Sequence, residues 1–415
     1  MIRLGAAWVV PIDQPPIRSG WVAVDAGRIV AVGEGNGRDA QAYGALRPLG
    51  SVALLPGLVN AHTHLELSWL RDRVPPANAF TSWVKQLIIA RRGTVESPDD
   101  PVVLEAATLA AREALETGTT AIGDISNSLA SVGVLAAVGL HGLVFHELLG
   151  FKETSGALIE RTAAQRASAR ELGGPRVRVS LAPHAPYSVS RELFQAVRGA
   201  VSASADPWMS VHVGESVEEL ELLARGTGEW ERMLRLIGAW REDWVPPRTG
   251  PVEYLDDLGV IDGRTLIVHG VQLAEESLAL IRERGATIVT CPRSNQWVGV
   301  GVPPIERFYR AGVPVAVGTD SLASVEDLNL FSELKVMRWL AASVPARDLL
   351  ESATLTGARA LGLDPELGSL TPGKRAEIVQ VDVPSDIDDV EEYLVSGVDA
   401  HAIDWAAHTR DTIGG

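Results

Sequence analysis

The sequence has little of what would place a protein outside the cytoplasm or inside a membrane. Its 415 residues include one cysteine, Cys291, so an internal disulfide cannot form, which fits a reducing compartment. We find no apolar run of the roughly 20 residues that a membrane-spanning helix needs. Residues 1–8 lack the layout of a secretory signal and predict a strand instead. These absences predict a soluble cytoplasmic protein.

Positive charge is also scarce. The chain has 37 Lys and Arg residues against 53 Asp and Glu, a formal net charge of −16. Such a surface repels nucleic-acid backbones and anionic membranes, and no basic cluster offsets it. We therefore expect a small-molecule partner, and we attribute the acidic balance itself to solubility.

A short β-rich start precedes a long repeating region. Residues 1–55 alternate short β-like runs with Gly, Pro and Asp turns. Beyond residue 52, Val- and Ile-rich runs alternate with amphipathic segments, several of which end in glycine. Eight strands alternating with helices favour a parallel barrel over a doubly wound sheet. We interpret these eight runs as strands: 52–60, 119–126, 142–149, 176–183, 208–213, 265–269, 286–291 and 313–318.

Two tryptophan-rich segments interrupt the alternation, residues 68–96 and residues 226–252. Long connections after barrel strands often form lids or walls of a binding site. Alternatively, these tryptophans pack an extra helix against the barrel or against another subunit, which would allow a homodimer. The sequence leaves both readings open.

Histidines mark the ends of several predicted strands. His62 and His64 end the first strand, and side chains two apart on a strand share one side. His184, His212 and His269 end predicted strands four, five and six. Functional residues of a parallel barrel gather at the carboxyl ends of its strands. Neutral imidazoles bind zinc, iron and similar ions, so this placement predicts a metal site.

Two carboxylates complete the predicted site. Asp320 follows the eighth strand, and Glu215 lies three residues beyond His212. We expect His62, His64, His212 and Asp320 to hold one divalent ion, which lowers the pKa of a bound water. Asp320 can also accept a proton from that water, and Glu215 can carry a proton to a ring nitrogen or leaving group. His269 is placed to hydrogen-bond the attacking water.

A second metal ion is not expected. Binuclear sites usually need a bridging ligand such as a carboxylated lysine, and none of the four lysines ends strand four, where His184 stands. Zinc is our first choice for the single ion, and iron and manganese accept the same ligands. His146, inside the third strand, we interpret as a hydrogen-bonded core histidine.

Taken together, these pieces resemble the amidohydrolase superfamily, in its mononuclear deaminase branch. The resemblance spans residues 1 to about 385 and implies an α/β fold. It implies a (β/α)8 TIM-type barrel over residues 56–364, and a small β-sandwich built from 1–55 with 365–415. The implied reaction is hydrolytic loss of ammonia from an aminated ring. The segments that carry it are Pro56 to His64, His184-Ala185-Pro186-Tyr187-Ser188, His212-Val213-Gly214-Glu215, Val268-His269-Gly270, Cys291-Pro292-Arg293-Ser294-Asn295 and Gly318-Thr319-Asp320-Ser321.

Within that branch, two segments together look most like aminodeoxyfutalosine deaminases of menaquinone biosynthesis: His62-Thr63-His64-Leu65-Glu66-Leu67-Ser68 and Cys291-Pro292-Arg293-Ser294-Asn295. Alternatives are S-adenosylhomocysteine, methylthioadenosine or adenosine deaminases, and chlorohydrolase-type enzymes acting on a heteroaromatic ring. A non-catalytic binding relative would be expected to lack a ligand, and none is missing. The resemblance implies these substrate-binding residues: Glu66, His184, Arg293, Ser294, Asn295 and Trp297.

An arginine would meet the benzoate of aminodeoxyfutalosine, since guanidinium matches carboxylate geometry. The sequence does not decide which one. The candidates are Arg71, Arg73, Arg91, Arg92 and Arg293.

Overall fold

The computed structural model describes residues 1–35, 37–92 and 97–408. The strands are β1 Ile2–Gly5, β2 Trp8–Val9, β3 Ile17–Arg18, β4 Gly20–Asp25, β5 Arg28–Glu34, β6 Ala45–Pro48, β7 Val52–Pro56, β8 Leu58–Thr63, β9 Thr119–Ser126, β10 His141–Leu148, β11 Val177–Pro183, β12 Met209–Val213, β13 Thr265–His269, β14 Thr287–Thr290, β15 Val315–Val317, β16 Ile378–Asp382 and β17 Ile403–Ala407. The helices are α1 Arg38–Gln41, α2 Phe80–Ala90, α3 Pro101–Glu116, α4 Ala130–Val138, α5 Ala157–Arg161, α6 Ala163–Gly173, α7 Arg191–Ser202, α8 Val217–Arg225, α9 Glu229–Leu236, α10 Pro251–Asp257, α11 Glu275–Arg284, α12 Pro292–Trp297, α13 Ile305–Arg310, α14 Leu330–Leu340, α15 Ala346–Ser352, α16 Leu355–Ala360 and α17 Val390–Val395. Short 3-10 helices cover Leu65–Leu70 and Ala400–Ala402.

Eight parallel strands, β8 to β15, form a nearly closed barrel in chain order, which confirms the predicted fold class. Every residue of β9, β10, β12 and β13 is buried. Burial on both faces is the reason these strands read as continuous apolar runs instead of alternating ones.

The first and last barrel strands approach each other where the predicted ligands begin. The backbone N–H groups of Thr319 and Asp320 both donate to the His62 carbonyl, each at 3.1 Å. Gly318 makes this approach possible, because a Cβ there would lie 2.6 Å from that same oxygen. The contact brings Asp320 beside the β8 histidines.

The predicted first strand, 52–60, is wrong in its extent. Val52–Pro56 forms β7 in a separate five-stranded sheet, and only Leu58–Thr63 belongs to the barrel. Gly57 separates the two strands, and a Cβ there would lie 2.7 Å from the Thr120 Cβ. Because both halves of the run are equally apolar and buried, the pattern does not mark the change of sheet. The other seven predicted strands agree with the structure to within two residues at each end.

Two further sheets lie outside the barrel, one with strands from the amino-terminal end alone and one with strands from both chain ends. One has the strand order β5-β4-β1-β6 and the other β17-β16-β7-β2-β3. The carboxyl-terminal strand β16 pairs antiparallel with the amino-terminal β7. Leu4, Val22, Leu54 and Ile378, from strands of both sheets, share one buried cluster. Sheets built from both termini therefore agree with the predicted fold class.

The chain forms two compact units. One takes its residues from Met1–Ala61, Arg112–Ala121 and Asn329–Gly415, and the other from His62–Ala111 and Ile122–Leu328. The domain limits expected from the sequence stay a prediction, and residues 409–415 of the expected terminal domain lie outside the described residues. In the described part of the chain, no helix has the length and apolar character needed to cross a bilayer.

Candidate metal centre and active site

Four of the predicted ligands converge at the carboxyl ends of the barrel strands. The His62 and His64 rings lie 5.0 Å apart, and the His62 and His212 rings also lie 5.0 Å apart. Asp320 Oδ1 lies 3.9 Å from His62 Nε2 and 3.7 Å from His64 Nε2. One donor atom from each of His62, His64 and Asp320 falls within 4.8 Å of the others, and the same holds for His62, His212 and His269.

The protonation pattern of this cluster fits a bound cation. His212 Nδ1 lies 3.0 Å from the His184 carbonyl, which can only accept, so Nδ1 carries the proton and Nε2 keeps its lone pair. Such a bond from the second ring nitrogen is typical of metal-binding histidines. Burial, and then the neighbouring imidazoles, lower the pKa of His62 and of His64 well below the usual value. Neutral imidazole is the form that binds a metal.

Asp320 is fixed by a serine on the side away from the histidines. Its Oδ2 accepts a hydrogen bond of 2.6 Å from Ser294 Oγ, which leaves Oδ1 toward the imidazoles. Asp320 has a φ of +61° and His269 a φ of +75°, a left-handed conformation that is uncommon for residues other than glycine. Strained backbone of this kind often marks functional sites.

Glu215 and His269 form a second pair beside the cluster. Glu215 Oε1 lies 3.5 Å from His269 Nε2, and both residues are buried. Asn295 Nδ2 donates to His269 Nδ1 at 3.0 Å, which places the proton of the neutral ring on Nε2. His269 is therefore a donor toward the cavity, as the predicted contact with water requires. Burial, and then the Asp320 and Glu219 carboxylates, raise the pKa of Glu215 well above its usual value.

A cavity of about 590 Å³ opens onto these groups. Its volume lies in the range of small-molecule sites. Its deep end is polar and contains His64, His212, Glu215, His269 and Asp320. Much of the remaining lining is apolar, and we call the part of it that comes from α2 and from α9 with the residue that follows α9 the outer wall. The apolar lining from these two helices consists of Phe80, Trp83, Val84, Leu87, Ile88, Trp230, Met233, Leu234 and Ile237.

The amidohydrolase family profile matches residues 53–404. The chain belongs to the amidohydrolase family. It is therefore a hydrolase that acts on carbon–nitrogen bonds.

Three relatives show where in the family the chain lies. A 5-methylthioadenosine/S-adenosylhomocysteine deaminase of Moorella thermoacetica is 30% identical, with 95% of this chain and 90% of that protein aligned. An aminodeoxyfutalosine deaminase of Deinococcus radiodurans is also 30% identical, over 83% of this chain and 81% of that protein. The solved structure of an adenosine deaminase from Xanthomonas campestris with bound zinc has a TM-score of 0.82 and 30% identity, covering 97% of this chain and 90% of that one.

Sequence reasoning missed one carboxylate of the amidohydrolase site. Glu147, near the end of β10, lines the cavity, and its Oε1 lies 3.7 Å from His212 Nδ1 and 4.0 Å from His184 Nε2. Its Oε2 accepts from Asn127 Nδ2 at 3.0 Å. The sequence does hold a signal for Glu147, because it directly follows His146 near the end of predicted strand three, where functional residues of a barrel gather.

Asp124 was also missed. It lies in β9, is fully buried, and accepts a hydrogen bond of 2.7 Å from the Leu65 N–H. Burial raises its pKa to about 8. Asp124 therefore fixes the backbone directly after His62 and His64, the predicted metal ligands.

Two predicted histidines line the cavity of this amidohydrolase. His184 Nδ1 lies 2.5 Å from Ser188 Oγ, and that hydroxyl also lies 3.2 Å from the Ala185 carbonyl, so Ser188 fixes the position of the imidazole. His146 is buried and donates from Nε2 to the Asn127 carbonyl at 3.2 Å, in agreement with the core histidine expected from the sequence.

The other predicted substrate-binding residues are engaged elsewhere in the amidohydrolase. The Glu66 carboxylate accepts hydrogen bonds from the 126–128 segment, including 2.7 Å from the Asn127 N–H. Ser294 and Asn295 hold Asp320 and His269 as described above. Arg293 pairs with Asp327 at 2.8 Å, and Trp297 Nε1 donates to the Val74 carbonyl at 3.2 Å. The described lining of the cavity includes none of these five residues, so their contact with substrate stays a prediction.

The arginine candidates separate clearly. Arg91, just after α2, lines the cavity, and its charge contributes to lowering the pKa of His184 to about 4, after burial itself. Arg73 stacks over Trp69 at 5.4 Å, and Arg92 is exposed. Arg71, like Arg293, is absent from the described cavity lining.

Both readings of the tryptophan-rich segments find support. Trp83 and Trp230 line the cavity, as a wall would require. Trp240 and Trp244 pack instead on Phe151, with ring centroids 5.6 and 5.3 Å away. Residues 93–96 of the first segment lie outside the described residues.

Proposed function

We propose that this amidohydrolase is a metal-dependent hydrolytic deaminase of adenine nucleosides. The observation that carries the proposal is the buried Glu215–His269 pair, with 3.5 Å between Oε1 and Nε2, beside a cluster of three further histidines and Asp320. Hydrolysis at an aminated purine carbon needs a nucleophilic water and a proton for the ring. This arrangement offers residues for both tasks.

We assign one divalent ion to His62, His64, His212 and Asp320, with zinc as the first choice. When bound, the ion would lower the pKa of a water at the deep end of the cavity. His269 Nε2–H orients that water, and Asp320 accepts its proton. Glu215, kept protonated by burial, donates a proton to the ring nitrogen beside the reacting carbon, which makes that carbon more electrophilic. Asp320 then passes its proton to the amino group, the hydroxyl proton of the adduct returns to Glu215, and ammonia leaves while the ring keeps the oxygen.

We further propose aminodeoxyfutalosine as the preferred substrate, which would place the enzyme in menaquinone biosynthesis. The outer wall suits a large apolar group, and Arg91 adds one positive charge to it. The carboxylates of the described cavity lining are Glu147, Glu215 and Asp320, which belong to the deep end. An aryl carboxylate therefore finds both apolar surface and a guanidinium in this chamber. Among the described residues of the outer wall, the ammonium group of S-adenosylhomocysteine finds no carboxylate.

The runner-up substrates are S-adenosylhomocysteine, methylthioadenosine and adenosine. The aligned relative from Moorella thermoacetica carries the first two in its name, which supports this alternative. A chlorohydrolase-type reaction would use the same metal and water. Glu215 favours the deaminase, because protonation assists loss of a poor leaving group.

The deciding experiment is ammonia release by the zinc-loaded protein from aminodeoxyfutalosine, S-adenosylhomocysteine, methylthioadenosine and adenosine, compared by kcat/KM. We expect aminodeoxyfutalosine to be preferred at least about tenfold, which is roughly 1.4 kcal/mol of transition-state binding. Preference for another nucleoside would keep the reaction and discard the pathway. No ammonia from any of the four would overturn the deaminase proposal.

We also propose a cytoplasmic enzyme with no nucleic-acid or membrane partner. The homodimer stays a prediction. The tryptophans that suggested it lie largely within packed clusters, whereas Trp339 on α14 is 74% exposed. Size-exclusion chromatography with light scattering tests the oligomeric state directly.

A further inference from the structure

We propose that Glu219 is a positioning residue that holds Glu215 in its proton-donating place. The inference rests on the proposed deaminase reaction, because it concerns the group that carries the proton. Glu219 does not belong to the described cavity lining and therefore acts only through its neighbours.

The Glu219 carboxylate closes the turn on which Glu215 stands. Its Oε1 accepts from the Gly214 N–H at 3.0 Å, and its Oε2 accepts from the Glu215 N–H at 3.1 Å. One side chain on α8 thus binds two successive backbone N–H groups of the three-residue segment between β12 and the helix. Glu219 is fully buried, with 0% exposure, so no solvent competes for these bonds.

The turn depends on Gly214, whose backbone conformation is uncommon for other residues. Gly214 has a φ of +61°, and a Cβ there would lie 2.4 Å from Leu273 Cδ2. Glycine is favoured here because other residues rarely adopt this conformation and a Cβ would crowd the Leu273 side chain, and glycine also leaves the backbone flexible. The two hydrogen bonds from Glu219 supply the rigidity that Gly214 lacks.

The same helix start has a second, weaker fixing point that serves as a control. Ser216 is the N-cap of α8, and its Oγ accepts from the Glu219 N–H at 3.4 Å. A serine at the cap with a glutamate three residues later is a capping box, in which the glutamate usually reaches back to the cap's own N–H. Here Glu219 reaches further back, to Gly214 and Glu215, so its carboxylate serves the catalytic turn more than the helix.

A buried carboxylate beneath a buried carboxyl also has an electrostatic effect. The pKa of Glu219 is raised to about 7 by burial, against the two backbone hydrogen bonds that lower it. Its charge contributes to keeping Glu215 protonated, after burial and Asp320. This supports the geometric argument and does not replace it.

The test is a double-mutant cycle with Glu215→Gln and Glu219→Gln in the zinc-loaded enzyme. In Glu219→Gln the amide oxygen can accept from one backbone N–H, while its NH2 group faces the other and loosens the turn. We expect kcat to fall on the order of 10–100-fold, the usual cost of a small displacement of a catalytic group. KM and the zinc content should stay at wild-type values, because Glu219 contacts neither substrate nor ligands.

The cycle separates positioning from general damage. If Glu219 acts through Glu215, the double variant is as active as Glu215→Gln alone, since the coupled effects do not add. A further fall in the Glu215→Gln background would overturn the proposal and indicate a structural role. So would a kcat of Glu219→Gln within about twofold of wild type. If instead Glu215→Gln itself retains full activity, the proposed reaction fails, whatever Glu219 does.

Ser216→Ala is the matched control. It removes the cap of α8 but leaves the Glu219 carboxylate bonded to Gly214 and Glu215. We expect a lower thermal midpoint with kcat within about twofold of wild type. If Glu219→Gln does not fold, Glu219→Asp keeps the charge with a shorter reach. A wild-type kcat for a folded Glu219→Asp would then overturn the proposal.

Discussion

The deep end of the cavity and its outer wall are built on different principles. The deep end stands on strand ends, and its histidines and carboxylates are held by partners such as Ser294 and Asn295. The outer wall stands on two helices inserted after β8 and β12, and is mainly apolar. The difference implies that the barrel fixes the reaction and the insertions select the substrate.

Contacts within the two regions differ in the same way. In the wall, Trp230 stacks on Tyr187 with ring centroids 4.0 Å apart and meets Phe80 edge-on at 5.8 Å. Such contacts depend on shape, so exchanging one apolar side chain for another of similar volume costs less than losing a directed hydrogen bond. We therefore expect changes at the deep end to abolish activity toward all substrates, and changes in the wall to alter only the preference among them.

The largest effect is expected for His62→Ala. His62 is fully buried between His64, His212 and Asp320, so its loss removes a ring nitrogen from the centre of the cluster. We expect the protein to lose stoichiometric zinc and kcat/KM to fall roughly 10³-fold or more for every nucleoside. Metal analysis of the purified protein and ammonia release would measure both.

The matched control for this variant is His401→Ala, because His401 is exposed and belongs to the compact unit that contains both chain ends, whereas His62 belongs to the other unit. It should keep wild-type zinc content and activity. A His62→Ala protein that is folded by circular dichroism and still releases ammonia would contradict both the metal assignment and the idea that the deep end is indispensable.

A smaller and selective effect is expected for Arg91→Met, which keeps the length of the side chain and removes its charge. If the guanidinium meets a substrate carboxylate, kcat/KM for aminodeoxyfutalosine should fall about 10–100-fold, since charged hydrogen bonds contribute roughly 1.5–3 kcal/mol. Methylthioadenosine has no carboxylate and should be turned over at the wild-type rate.

Arg92→Met is the control for Arg91, because the neighbouring arginine is exposed. Arg92→Met should leave kcat/KM unchanged for both aminodeoxyfutalosine and methylthioadenosine. If Arg91→Met slowed both nucleosides equally, Arg91 would support the deep end through its charge near His184 instead of selecting the substrate, and the division between the two regions would fail at this residue.

The deep end could be predicted from the sequence and the wall could not, for a physical reason. The barrel fixes the position of each strand end. His62, His212 and Asp320 lie at the ends of apolar runs, and the direction of each run sets where the side chain points. Trp83 lies on an inserted helix and Arg91 directly follows it. The placement of this helix depends on contacts with α9, more than a hundred residues later in the chain. Local pattern therefore identified the segments without choosing which of their residues meet the cavity.

The limits of sequence reasoning at the deep end are instructive too. Glu147 and Asp124 lie on predicted strands but carry no motif, and their role is visible only from the groups they face. The run 52–60 predicts a single strand because its residues are equally buried in the two sheets to which they belong, and burial sets their composition. The composition of a segment shows whether it is buried. Which strand or side chain it contacts follows only from the three-dimensional structure.

The smallest effect is expected where the two wall helices meet at the surface. Lys85 on α2 and Glu229 on α9 form an ion pair of 3.4 Å, and both side chains are more than 40% exposed. Exposed pairs of this kind contribute little, so Lys85→Met should leave the thermal midpoint near wild type and kcat/KM within about twofold for all four nucleosides. Glu153→Gln, which removes a surface pair with Arg161 away from α9, is the control. A tenfold change in Lys85→Met alone would mean that the pair controls access to the cavity, so that the wall acts as a moving lid and not as a fixed surface that selects by shape.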